Sequence, residues 1–383
     1  MDLERILALA QAVAVDTVAG EAEACDREAR WPERSFRAAL ESGLGGLVVP
    51  PEHGGLGQGL SGLLRTCEVF GRHNASFALS FGMHHVGAAA IAAKATHDQA
   101  ERYLRPIARG EHITTLALSE PGTGLHFWYP ETTLERTEGG FHVTGTKSFV
   151  TNGGHADSYV VGTVADDPDA PPGLFSCVLV PREAEGATWD APYDGFGMRG
   201  NAARTLHMDR LHVPARDLLG EVGDQTWYVF NVVAPYFLVA MSGTYLGIAQ
   251  RAVDEAVAHL GARAYAAGSA GPAASPVVQH RLGRAWSRVQ KCRQLLYWAA
   301  KEAETGGPQA LPALCAAKAD VAECAVDAAN DAMTIGGGRT YRDGEVLPRL
   351  LRDARAAHVM SPTTDLLWTW TGRALLGRPL LED

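Results

Sequence analysis

The apolar positions of the chain recur with a helical period at both ends and with a strand-like alternation in the middle. Before residue 112, four segments carry apolar residues at i, i+3 and i+4, and four longer segments repeat that spacing after residue 222. Between them, β-branched and aromatic runs such as Ser158–Val164 are separated by Gly, Pro and Asp. The pattern predicts an α+β fold with an N-terminal α-helical domain (1–112), a small antiparallel β-barrel (113–222) and a C-terminal four-helix bundle (223–383).

The composition excludes some classes of protein but does not indicate a specific function. The chain has 383 residues, of which 46% are hydrophobic and 20% charged, as in an ordinary globular protein of two or three packed units. A formal net charge of −10 argues against nucleic-acid binding, which needs clustered Lys and Arg. We expect no membrane span, since apolar stretches fall short of about 20 residues, and the acidic start favours a cytoplasmic location over a signal peptide.

Cysteine and histidine positions do not suggest a metal site. The six cysteines are scattered without ligand spacing and are expected to be buried thiols in a reducing compartment. The adjacent pair His84 and His85 has no Asp, Glu or Cys at i+3 or i+4 that would complete a ligand set. We expect this pair to have a packing role or to line a channel.

The segment from residue 114 to 154 concentrates the groups that could hold a flat ligand. Two predicted strands, Thr114–Leu118 and Phe141–Val150, end in polar turns that contain Ser119 and Thr151, respectively. Pro and Gly after the first strand stop its hydrogen-bond ladder, which leaves backbone N–H groups and a hydroxyl free to meet a ligand. A flat ring with a polar edge could stack on Phe149 and bond to the two hydroxyls, so the pattern predicts a flavin cradle.

Two motifs in this segment resemble the paired signatures of the acyl-CoA dehydrogenase family. They are Leu-Ser-Glu-Pro-Gly at 118–122 and Gly-Thr-Lys-Ser-Phe-Val-Thr-Asn-Gly at 145–153, and further segments at 48–55, 198–214 and 335–355 match the family in the same order. The resemblance implies FAD as cofactor and an acyl thioester as substrate, carried on CoA or on a carrier protein. It also implies an electron-transfer flavoprotein or O2 as electron acceptor, and a homodimer or homotetramer.

The resemblance further implies roles for individual residues. The positions implied to bind FAD are Leu118, Ser119, Gly124, Phe149, Thr151, Arg263, Gly336, Gly337, Gly338, Thr363 and Asp365. Those expected to line the substrate site are His85, Leu125, Trp128, Tyr236, Phe237 and Tyr245. Leu125 replaces a family serine that receives the pantetheine arm or phosphates, and the bulky run at 127–129 is either a rim packed on helices or a wall facing the substrate.

The expected catalytic base is missing. The family removes the α-proton of the thioester with a glutamate, and the matching position in the C-terminal motif is Ser361, while the alternative position falls at or near Phe237. Neither side chain is a useful base at neutral pH. Asp365, one helical turn after Ser361, and His126, which replaces a family aspartate, are the candidate replacements, and burial beside a flavin would raise the pKa of Asp365.

Three hypotheses therefore remain open from the sequence. The chain could be an FAD-dependent α,β-dehydrogenase of an acyl thioester with a relocated base. It could instead be a flavin-dependent monooxygenase, as some family members of secondary metabolism are. The third alternative is a non-catalytic subunit of a heteromeric dehydrogenase.

Overall fold

The computed structural model describes residues 1–167, 169–262, 271–342 and 344–381. Helices occupy both ends of the chain and a β-sheet lies between them, so the predicted fold class is confirmed.

Local capping explains where the N-terminal helices begin. The Asp2 carboxylate accepts from the Arg5 N–H at 2.9 Å, the Asn74 side chain accepts from the Phe77 N–H at 3.2 Å, and Thr96 forms a reciprocal capping box with Gln99. The helices are α1 (Leu3–Val13), α2 (Ala19–Arg27), α3 (Glu33–Glu41), α4 (Leu60–Gly71), α5 (Ala75–Ala93), α6 (His97–Gln99) and α7 (Arg105–Ala108). Short π-helical segments, Ala14–Val18 and Ala100–Leu104, join α1 to α2 and α6 to α7.

Two helices are long and apolar enough to cross a membrane, which corrects the expectation that no stretch reaches that length. They are α5, with 19 residues and no Asp, Glu, Lys or Arg, and the helical stretch Gln225–Ala262. In the most apolar window of each, 94% and 78% of the residues are buried inside the protein. These windows are therefore core segments of the fold.

The middle strands form one mixed sheet in the order β6-β7-β3-β2-β4-β5-β8, with β1 paired to β4. The strands are β1 (Thr114–Ala117), β2 (Thr133–Thr137), β3 (Gly140–Val150), β4 (Ser158–Ala165), β5 (Phe175–Pro181), β6 (Ala187–Trp189), β7 (Arg204–Pro214) and β8 (Leu218–Leu219). Most neighbours are antiparallel as predicted, but β1 and β2 both run parallel to β4. The difference arises because the long segments between these strands let the chain cross over before pairing.

The C-terminal helices α9, α10 and α11 are long, and α12 and α13 pack on α11. They are α8 (Gln225–Tyr228), α9 (Ala234–Ala262), α10 (Pro276–Glu304), α11 (Ala310–Gly336), α12 (Val346–Val359) and α13 (Thr364–Leu375), with a π-helical segment, Val229–Val233, joining α8 to α9. All six cysteines are free and buried, as predicted. Among the described residues, no group of three or more His, Cys, Asp or Glu could hold a metal ion.

Helices α4 and α9 meet along a seam where their backbones touch. A Cβ placed on Gly243 would lie 2.2 Å from the Leu64 carbonyl oxygen, and one on Gly247 would lie 2.5 Å from the Glu68 carbonyl oxygen. Both distances are far below a van der Waals contact, so no larger residue fits without moving a backbone. This seam joins the N-terminal helices directly to the C-terminal bundle.

Candidate functional site

The two signature motifs meet at one end of the sheet. The Ser148 N–H donates to the Ser119 carbonyl oxygen at 2.8 Å, which ties the turn after β1 to the end of β3. β1 is also held in parallel register to β4, with Thr114 opposite Ser158. The predicted cradle is therefore a contiguous surface.

A buried ion pair stabilises this end of the sheet. The Lys147 ammonium contacts the Glu120 carboxylate, which also accepts from the backbone N–H groups of Glu131 at 2.6 Å and Thr132 at 3.1 Å. Both side chains are buried, and burial lowers the pKa of Lys147 while Glu120 opposes that shift. Removing one member of such a pair leaves a buried charge uncompensated, at a cost of about 3–5 kcal/mol.

Phe149 is presented to solvent by a local irregularity of β3. The register between β3 and β7 shifts between Lys147 and Val150, and Phe149 has a left-handed backbone with φ of 54°. Its ring remains 61% exposed and touches the Tyr193 ring edge to face, with centroids 5.4 Å apart. A strained backbone that exposes a large aromatic ring is typical of a functional position.

The hydroxyls of Ser119 and Thr151 are available to a ligand. Within the described part of the chain, neither the Ser119 nor the Thr151 hydroxyl makes a hydrogen bond, and the neighbouring Leu118 is buried in the core. These residues fit FAD: the exposed face of Phe149 suits the flat isoalloxazine ring, and the two hydroxyls suit its polar edge.

The loop that follows the first motif reaches the helical bundle. The Ser361 hydroxyl donates to the Leu125 carbonyl oxygen at 3.3 Å, which places the position of the expected glutamate against this loop. The Leu125 side chain is 45% exposed, Gly124 has a left-handed φ of 53°, and the exposed His126 ring packs against Trp128 at 5.3 Å. Leu125, His126 and Ser361 are thus brought together.

Trp128 resolves the alternatives left open for the aromatic run. Its ring is buried and lies 5.5 Å from the Trp370 ring and 6.1 Å from the Phe230 ring, both on the C-terminal helical side. Trp128 is therefore a packing residue between sheet and helices rather than an open substrate wall. Among the described residues, its indole N–H has no hydrogen-bond partner.

The segment that carries Ser361 is held by a buried lysine. The Lys318 ammonium, on α11, donates to the carbonyl oxygens of Ala357 at 2.8 Å, Met360 at 3.3 Å and Pro362 at 2.9 Å. It thereby satisfies carbonyl groups at the C-terminal end of α12, where a positive charge is favourable. Burial lowers the pKa of Lys318 to about 7.

Asp365 lies in the first turn of α13, and its residue is exposed. The expected burial of this carboxylate is therefore absent from the single chain, which corrects that part of the hypothesis. The neighbouring Thr363 caps α13 by accepting from the Leu366 N–H at 3.4 Å.

The residues expected to line the substrate site fall into two groups. Tyr245 is fully buried in α9 and its hydroxyl lies 3.1 Å from the Met360 sulfur, next to Ser361, while Tyr236 and Phe237 are partly buried near the start of α9. His85 is fully buried and packs on the Phe81 ring at 4.3 Å, so it does not line an open channel as expected. Because α5 is apolar all round, it is buried on every side. The place of His85 in the sequence therefore could not show whether its side chain faces a channel or the core.

The predicted pyrophosphate turn lies at the end of α11. Gly336 ends the helix, Gly337 has a positive φ of 61°, and a Cβ on Gly337 or Gly338 would meet nothing within 4 Å. Gly338 and Arg339 line a surface pocket of about 390 Å³ with His259 and Ala262 of α9. Arg263, also expected here, lies outside the described residues.

Sequence reasoning missed Lys318 and Glu131. Lys318 had one signal, a lone lysine on the buried face of an alanine-rich helix. Glu131 lies so close to Gly122 that a Cβ there would be 2.4 Å from its carboxylate oxygen, which adds an acidic group to the cradle loop. No sequence motif predicts this contact, because it depends on how the loop after β1 folds back on itself.

Comparison with known proteins covers almost the whole chain. Three domain families match in order: acyl-CoA dehydrogenase, N-terminal domain (residues 2–111), middle domain (115–211) and C-terminal domain (237–376). Isovaleryl-CoA dehydrogenase, mitochondrial, from Solanum tuberosum is 28% identical over 374 residues, which is 97% of this chain and 88% of that protein.

Solved structures show the same architecture. Butyryl-CoA dehydrogenase from Megasphaera elsdenii aligns with a TM-score of 0.92 at 22% identity, over 98% of both chains. The prolyl acyl carrier protein oxidase AnaB aligns with a TM-score of 0.87 at 21% identity, over 97% of both chains.

Proposed function

Because the chain belongs to the acyl-CoA dehydrogenase family and has FAD as its cofactor, we propose that it oxidises an acyl thioester at its α and β carbons. When bound, FAD supplies the acceptor for the hydrogen that leaves the β-carbon as hydride. The protein must then bind the thioester beside the flavin and take up the α-proton.

The observation that carries this proposal is the contact between Ser361 and Leu125. It brings the position of the expected glutamate to the loop that directly follows the cradle motif, at 3.3 Å. A substrate held there would lie between the sheet and the helices, with Tyr245 and Met360 behind it. This contact supports a substrate site at the position of the expected glutamate although the glutamate itself is absent.

The proton requires a different acceptor. The Ser361 hydroxyl donates to the Leu125 carbonyl oxygen, and a serine hydroxyl is a poor base unless another group activates it, so we do not assign it as the base. We propose that Asp365 accepts the α-proton through one water molecule, since it lies four residues after Ser361, in the first turn of α13, while Ser361 itself precedes that helix. His126, on the facing loop next to Leu125, is the second candidate.

The loop that contains Leu125 also bears on which carrier holds the acyl group. The exposed Leu125 side chain cannot hydrogen-bond a phosphate or an amide, so this position contributes only apolar contact to the thioester arm. That supports a substrate whose carrier makes its polar contacts elsewhere, such as a carrier protein, and AnaB, described as a prolyl acyl carrier protein oxidase, shares the fold. CoA is the alternative carrier.

A second function is favoured by one specific observation. Ser361 offers no carboxylate, and the carboxylate nearest to it in the sequence, Asp365, is exposed in the single chain. A monooxygenase reaction with O2 does not need α-proton abstraction from a thioester. A non-catalytic role as one subunit of a heteromeric dehydrogenase is the third hypothesis.

Anaerobic reduction of the flavin tests these functions against one another. The FAD-loaded protein is mixed without oxygen with CoA and carrier-protein thioesters of straight, branched and amino-acyl groups, and the absorbance of oxidised flavin is followed. Bleaching by a thioester supports dehydrogenation. Bleaching by NADH with a flavin reductase, followed by oxygen-dependent product formation, would support the monooxygenase, and no bleaching by either would leave the subunit hypothesis.

A further inference from the structure

A second pocket lies between the N-terminal helices and the sheet. It has a volume of about 360 Å³, within the range of small-molecule sites. Its lining comes from α2, from the segment between α2 and α3, from the first turn of α3, from the turn after β3, and from the segment between β6 and the start of β7. These residues include Arg30, Trp31, Arg34, His155 and Arg204.

The positive charges of this pocket are not committed to protein partners. Over residues 1–167, 169–262, 271–342 and 344–381, the guanidinium groups of Arg34 and Arg204 form no hydrogen bond or ion pair, and the Arg204 Nε atom is buried. A buried N–H of a charged group without an acceptor is costly, so an acceptor is expected from a ligand or solvent. Arg30 reaches a carboxylate only weakly, with 3.8 Å to Glu28.

The acidic residues in the lining are already engaged. The Glu21 carboxylate accepts from both the backbone N–H and the hydroxyl of Ser35 at 2.7 Å, and Glu33 pairs with Arg37 at 2.8 Å. The described carboxylates of the lining are therefore engaged with Ser35 and Arg37 rather than with Arg34 or Arg204.

An aromatic wall completes the site. The Trp31 and His155 rings stack with centroids 4.5 Å apart and an angle of 5° between their planes. The Trp31 indole N–H donates to the Asn152 side chain at 2.9 Å, and Asn152 directly follows Thr151 of the cradle. The pocket is thus connected to the flavin turn through a single side chain.

We propose that this pocket is a binding site for a small anion with phosphate or carboxylate groups, held by Arg34 and Arg204. Guanidinium groups bind such anions through paired N–H donors, and His155 can add a third donor when it is protonated. The site is separate from the proposed thioester site and does not depend on the proposed reaction.

The test uses inorganic pyrophosphate as the probe and the FAD-loaded protein, so that FAD already fills its own pyrophosphate contacts. Isothermal titration calorimetry is expected to show saturable binding, and Arg204→Met is expected to weaken it at least tenfold, as is Arg34→Met. Arg105→Met is the matched control, because Arg105 is an arginine on α7 outside the pocket. This control should leave the affinity for pyrophosphate unchanged.

A second readout identifies the location even if Arg204→Met fails to fold. Burial and repulsion from Arg204 and Arg182 lower the pKa of His155, so a bound anion should raise that pKa in an NMR titration of the wild-type protein. Binding should also tighten as the pH falls through the His155 transition. Absence of saturable binding at 10 mM pyrophosphate, as a rough upper limit for a specific site, would overturn the proposal, as would binding that leaves the His155 pKa unchanged.

Discussion

At the scale of single residues, the open question is which side chain takes the proton that a glutamate takes elsewhere in the family. We expect Asp365→Asn to slow anaerobic flavin reduction by about 100-fold, because a general base typically contributes 10²–10⁴-fold. FAD binding should persist, and stopped-flow absorbance at the flavin maximum measures both quantities.

Two matched variants accompany this measurement. Asp209→Asn removes an exposed carboxylate of β7 outside the site and should leave the rate unchanged. His126→Asn tests the competing base. A normal rate in Asp365→Asn together with a slow rate in His126→Asn would reassign the role, and normal rates in both would favour oxygen chemistry.

Lys318 gives a prediction about stability and pH. Its pKa in the folded protein is lowered to about 7, so between pH 7 and the ordinary lysine pKa the unfolded chain binds more protons than the native one. The contribution of this residue to stability therefore rises with pH in that window. Compared with Lys318→Met, the wild type should gain at most about 1.4 kcal/mol per pH unit.

Chemical denaturation at pH 7, 8 and 9 measures that difference. Lys301→Met provides the control, since Lys301 is an exposed lysine on α10. Parallel stability curves for the wild type and Lys318→Met would show that Lys318 is not perturbed by burial.

At the scale of elements, the irregular end of β3 determines whether the flavin has a stacking surface. Phe149→Ala should weaken FAD binding about tenfold or more, because it removes an aromatic contact worth about 0.5–1.5 kcal/mol in addition to its apolar area. Phe149→Trp should retain affinity. Phe196→Ala, which truncates another exposed ring, should have no effect on FAD affinity in a fluorescence titration.

The elements also show what sequence patterns could and could not predict. Period and alternation predicted α5, α9, α10, α11 and the longer strands, since each carries its own repeating pattern. The parallel pairing of β1 with β4 joins residues 44 positions apart, Thr114 and Ser158, and no local pattern encodes such a register.

In the candidate site, too, residues within local motifs were predictable, whereas features that depend on tertiary packing were not. Ser119, Phe149 and Thr151 lie within motifs, and the structure brings them together as expected. The burial of His85, the exposure of Asp365 and the contacts of Lys318 depend on which helix face packs inward. That choice is made by tertiary packing, so it could not be inferred from residue spacing.

At the scale of the whole molecule, we propose a homodimer or homotetramer in which the glycine turn serves a neighbouring subunit. Gly338 and Arg339 lie beside Ala262 at the end of α9, whereas Ser361 lies near Tyr245. With 1.5 Å per helical residue, these two points of α9 are roughly 25 Å apart. The turn is therefore displaced from its own cradle.

Mixed oligomers test this arrangement. Arg339→Met and Phe149→Ala should each lower FAD occupancy while sedimentation still shows an oligomer. When the two variants are unfolded and refolded together, a mixed dimer contains one site with both native residues, so about half of its sites should recover wild-type affinity. No recovery would show that Arg339 acts on its own subunit or not at all.

The seam between α4 and α9 restricts how this protein can be recombined with its relatives. Because the backbones touch at Gly243 and Gly247, a first helical domain taken from another member would fit only if its α4 followed the same path to within a few tenths of an ångström. The boundary near residue 112, where a sequence-based chimera would be cut, is thus the wrong place for a crossover. A functional hybrid therefore has to take α4 and α9 together from the same parent protein.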